Sequence, residues 1–98
     1  MTDLLDRVYI TTAGTYLIIA RAFVDITTNS LATYISICKN TVILTNASEN
    51  NAGQHSIVTA TMEQFAVGDS VYVQGKTDGS GKYYNSRDRL EFIVIRVG

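Results

Sequence analysis

The stretch Phe65–Gly75, FAVGDSVYVQG, puts a tight turn directly in front of a strand pattern. Gly68 and Asp69 are a turn pair: glycine reaches backbone conformations that side chains forbid, and aspartate bonds to the backbone beside it. Val71 and Val73 then alternate with Ser70, Tyr72 and Gln74, the period of two expected of a strand with one buried face. Several β folds lead into a strand in this way, so the choice among them falls to the rest of the chain.

Working outward, nearly every segment carries the same period. TYLIIARAFVDI (Thr15–Ile26) is β-branched and aromatic, with Tyr16, Ile18, Ala20, Ala22 and Val24 on one face and Leu17, Ile19, Arg21, Phe23 and Asp25 on the other. Both faces are apolar near its start, as in a strand covered on two sides. RVYI (Arg7–Ile10), ATYISICK (Ala32–Lys39), TVILT (Thr41–Thr45), HSIVTATME (His55–Glu63), SVYVQGKT (Ser70–Thr77) and RLEFIVIRV (Arg89–Val97) are the other candidate strands. IVTATMEQFA also fits a helical stripe, but β-branched Ile57, Val58, Thr59 and Thr61 favour a strand. TTNS (Thr27–Ser30) reads as a turn, and NASENNAGQ (Asn46–Gln54) and DGSGKYYNSRD (Asp78–Asp88) as exposed polar loops. Residues 1–6 are read as an N-terminal arm or a single helical turn. About seven short strands joined by polar turns predict an all-β sandwich or barrel in one domain over residues 1–98.

The last strand repeats the peculiarity of the second. Leu90, Phe92 and Val94 lie on one face, and Ile93, Ile95 and Val97 on the other. A small sandwich has one interior, so a second apolar face needs other cover, and no amphipathic helix is available to supply it. Another copy of the chain is the natural candidate.

Composition narrows the function classes. Eight basic and nine acidic residues are spread along 98, with no basic stripe for a polyanion. The single Cys38 sits in an alternating apolar run and reads as a small buried side chain, neither disulfide nor cysteine-ligated metal site. No run approaches the roughly 18 apolar residues of a membrane span. The opening MTDLLDRVYI is acidic where a secretory signal would be basic, so synthesis in the cytoplasm is expected, a host cytoplasm if the chain is viral.

Catalytic constellations are missing: His55 has no cysteine or carboxylate at a recognisable spacing, and neither cofactor nor metal is implied. DGSGK (Asp78–Lys82) lacks the acidic ladder of a calcium loop and the GK[ST] of a phosphate loop. The reading is therefore non-enzymatic. The richest polar-aromatic cluster is KYYNSRDR, where Tyr83, Tyr84, Asn85 and Arg87 offer flat rings and multiple hydrogen-bond donors, the chemistry that holds sugars, peptides or bases.

Two resemblances follow from these residues. AGTYLI (Ala13–Ile18), FAVGDSVYV (Phe65–Val73) and LEFIVIRV (Leu90–Val97) resemble, in order and spacing, the G-x-Y strand, the G-D-x-V-x-V segment and the closing strand of jelly-roll heads of the complement and tumour-necrosis-factor type. That resemblance implies an all-β, jelly-roll-like antiparallel sandwich of about seven to eight strands, and a homotrimer whose two central strands line a threefold axis, which places Tyr16, Ile18, Phe92 and Val94 at a self-association interface. Among such heads, small cysteine-poor chains without proline resemble the head domains of phage tail receptor-binding proteins. This implies a virion component that binds host-surface saccharide, with other virion proteins as further partners. The alternative is a single-strand-binding OB-fold, whose K-G-x-x-V-Y-V-E-G hairpin VGDSVYVQGK (Val67–Lys76) resembles; the absent positive charge and absent tryptophan count against it.

Overall fold

Eight strands form two antiparallel sheets in the computed structural model, which describes residues 2–26, 33–49, 53–77, 81–84 and 90–98. They are β1 (Thr2–Tyr9), β2 (Gly14–Ile26), β3 (Thr33–Lys39), β4 (Val42–Glu49), β5 (Gly53–Phe65), β6 (Ser70–Thr77), β7 (Gly81–Tyr84) and β8 (Leu90–Arg96). One sheet runs β1-β6-β3-β4. In the other, β2 is central, with β5 on one side and, on the other, β8 along Tyr16–Ala22 and β7 along Phe23–Ile26. Two stacked four-stranded sheets take the place of the partly open five-stranded barrel that the OB-fold alternative implies.

The alternation read from the sequence decides what is inside. Tyr16, Ile18, Ala20 and Ala22 of β2 and Ile57 of β5 face Ile35 and Ile37 of β3 and Val71 and Val73 of β6, and together they form the buried core. Tyr16 and Phe65 meet edge to face, with ring centroids 5.8 Å apart. Cys38 is free and buried, and burial pushes its thiol up. The helical option for Ile57–Ala66 fails, because Gly53–Phe65 pairs with β2 along its whole length.

Boundaries differ from expectation most where a partner fixes the place of the strand. The segment read as an arm or helical turn is the start of β1, with Thr2–Leu4 laddered to Gln74–Lys76. Asn46–Glu49, read as loop, extends β4, because Asn46, Ala47 and Ser48 pair with Ser36, Ile35 and Tyr34 and Ala47 packs towards the core. Gly81–Tyr84, also read as loop, is β7, paired with Phe23–Ile26.

The turn quoted at the outset ties one pole of the sandwich together. The Asp69 carboxylate accepts from the Ala66 N–H at 2.8 Å and from the Asn40 side-chain amide at 3.2 Å. Its carbonyl accepts from the Ile10 N–H at 2.8 Å, while the Ser70 N–H donates to Asn40 Oδ1 at 3.0 Å. Asn40 closes the β3–β4 turn with φ 52°, and Gly68 has φ 93°. Three connections are thus held by one aspartate and one asparagine.

Candidate interaction surfaces

The outer face of the β5-β2-β8 sheet is built by the second parity of two doubly apolar strands. Register sets Met62, Leu17 and Ile95 side by side across β5, β2 and β8, and then Ala60, Ile19 and Ile93 in the next row. Met62 is 59% exposed and Ile95 49%, and Val58 and Val97 widen the stripe. Soluble monomers rarely leave so continuous an apolar patch open to water.

One end of the stripe is charged. Arg21 faces Glu91 across the ladder and forms an ion pair with it, stacking also near the Phe23 ring. The Arg21 Nε is shut off from solvent without an acceptor. The pair is half exposed, so it contributes little to monomer stability. Its effect is to mark where the apolar surface stops.

The residues expected at a threefold axis do not share that face. Tyr16 and Ile18 point into the core, at 8% and 0% exposure, and Phe92 and Val94 pack against it from β8. These four side chains thus belong to the interior of the sandwich, on the parity opposite to the outer face of β2 and β8. Since both faces of β2 are apolar near its start, the discriminating signal is the charged residues Arg21 and Glu91, which lie on the outward parity of β2 and β8.

Of the candidate ligand contacts, Tyr83 and Tyr84 lie on β7, their backbones paired with Val24 and Phe23. Asn85 and Arg87 lie outside the described residues. β7 thus extends the side of β2 that β8 occupies, at the end away from the Asp69 turn.

Two concavities lie among the described residues. One, of 410 Å³, lies at the Asp69 pole beside Ala13, Gly14, Gln64 and Phe65. Lys39 spans it, donating to the Gln64 carbonyl at 2.7 Å above the Phe65 ring, so its charged groups are engaged within the fold. The other, of 320 Å³, opens between β1 and β8. Among the described residues no cluster of histidine, cysteine or carboxylates could hold a metal ion, and no helix is long and apolar enough to cross a membrane.

This architecture is a jelly roll of the tumour-necrosis-factor type. Murine APRIL, in crystal structures at pH 5.0 and pH 8.0, superposes with TM-scores of 0.73 and 0.72 at 15% and 16% identity, over 94% of this chain and 73% and 70% of that one. Eiger TNF from S. frugiperda superposes with a TM-score of 0.70 at 10% identity, over 94% of this chain and 64% of its own. At such identities the likeness is one of fold. No family model and no curated protein matches the sequence.

Proposed function

We propose that the chain is a non-enzymatic jelly-roll module that works as a trimer, burying the outer face of β5-β2-β8 between copies. The observation that carries this is the apolar stripe Met62–Leu17–Ile95 and Ala60–Ile19–Ile93, which no strand covers among the described residues. The threefold number comes from the sequence resemblance to complement and tumour-necrosis-factor heads.

The same resemblance, in its phage tail form, supplies the ligand class: host-surface saccharide, bound weakly at each copy and strengthened by threefold display. In support of this, β7 carries Tyr83 and Tyr84 on the same sheet as the apolar stripe. Equilibrium sedimentation tests the assembly. A mass of three chains is expected, Ile95→Lys should return folded monomer, and a wild-type monomer at high micromolar concentration would refute the trimer. Glycan-array binding tests the ligand: Tyr84→Ala and Arg87→Ala should lose signal, and unchanged binding by both would remove the cluster from the site.

A further inference from the structure

The sandwich is tied on one side and open on the other. At the β4/β5 side the hydroxyls of Thr45 and Thr59 meet at 3.0 Å across the two sheets. At the β1/β8 side the 320 Å³ cleft enters between the edge strands, with Val8, Ile10, Tyr16, Phe92 and Val94 among its walls, and no lining side chain carries a charge.

The edge beside that cleft is unprotected. β8 is laddered to β2 in unbroken register, and among the described residues no strand pairs with its other side. Natural sheet edges are usually blunted by bulges, charges or proline. The β1 edge shows this, with an irregularity between Leu4 and Asp6 and exposed Asp6 and Arg7. The middle of β8, Phe92–Ile95, has neither bulge nor charge.

We infer that this edge and cleft take an extended, uncharged segment of a partner polypeptide, added beside β8 as a further strand whose alternate side chains enter the cleft. The free ladder of N–H and C=O groups selects extended backbone over a helix or a small molecule. The uncharged walls select apolar or hydroxyl side chains at every second position. A strand already folded into another copy does not fit, because its inward side chains are committed to its own core. A second β8 would satisfy the edge and leave both clefts unfilled. The occupant is therefore a segment outside any sheet before it binds. This site does not depend on the trimer, since it uses the edge and inner side of β8 and not its outer face.

The probe is a fluorescein-labelled, acetylated peptide of about seven alternating threonine and valine residues, matched to the length of β8. It should bind the intact chain saturably, and N-methylation of its alternate amides should weaken binding by about tenfold or more. Val8→Glu, at a position 38% exposed where a charge leaves folding intact, should weaken it similarly. In hydrogen exchange, the β8 amides that do not bond to β2 should slow only when peptide is present. Absence of binding at about millimolar peptide, or equal binding of the N-methylated form, would overturn the inference. So would slowing of those amides by chain concentration alone, which would assign the edge to a second copy. A trimer without peptide binding would defeat this inference and leave the proposed assembly standing, and a peptide-binding monomer would do the reverse.

Discussion

Asp69 is the residue on which the pole depends. The Ala66 N–H, then the Asn40 amide and the nearby Lys39 charge, hold its carboxyl below the usual carboxylate range. A carboxyl lowered in the folded state stabilises it fully above the ordinary value, about pH 4, and that contribution is lost as pH falls through the lowered folded value. Asp69→Ala should therefore melt below wild type at neutral pH, with the gap narrowing as pH drops under about 4; scanning calorimetry at several pH values reads this directly. A gap constant with pH would mean that the ionised carboxylate is not what ties the turns. The two glycines that bend the chain differ in kind. A Cβ at Gly68 meets nothing, so Gly68→Ala should cost only its backbone conformation, about 1–3 kcal/mol. A Cβ at Gly14 would stand 2.5 Å from both Arg96 Nε and the Gly98 carbonyl oxygen. Gly14→Ala should cost more, because it displaces the C-terminal segment whose Gly98 carbonyl accepts from the Thr15 N–H. Denaturant midpoints of the two variants would order them.

At the scale of elements, the strands that could be read were those with strong alternation of their own. Ser70–Thr77 was identified to the residue, and Thr15–Ile26 to within one position, because β-branched and aromatic residues recur there at a period of two. The start of β1, the end of β4 and all of β7 carry no clear alternation: Leu4 and Leu5 are adjacent between Asp3 and Asp6, Asn46–Glu49 is mostly polar, and Tyr83 and Tyr84 are adjacent in a Gly-rich polar stretch, so these become strand by pairing with a stronger neighbour. The direction of β2 and β8 was harder for the opposite reason: with apolar residues on both faces, alternation cannot say which face is interior. Arg21 and Glu91 carry that information. The assignment has a simple consequence. Ile18→Ala, at full burial, should cost about 2–5 kcal/mol, while Ile95→Ala, on the outer face, should leave an isolated chain within about 0.5 kcal/mol of wild type. Urea unfolding at low chain concentration compares them, and equal losses would mean that the parity is reversed.

For the whole molecule, the outer stripe makes stability a property of concentration. If three chains bury Leu17, Ile19, Ile93 and Ile95 together, assembly draws the folding equilibrium forward by mass action, by roughly 2 kcal/mol per chain for each hundredfold rise in concentration. In a domain of this size that is a rise in Tm of several degrees, resolvable by calorimetry between micromolar and hundred-micromolar chain. Ile95→Lys should abolish the dependence while keeping the low-concentration Tm near that of wild type, because the lysine points away from the core. Salt separates the apolar stripe from the ion pair at its end. A contact made by Met62, Leu17 and Ile95 should persist in 1 M salt, whereas one resting on Arg21 and Glu91, both half exposed, should weaken as their charges are screened. A Tm that rises with concentration equally at low and high salt would place the association on the apolar rows. A Tm independent of concentration at both would leave the stripe uncovered by its own kind.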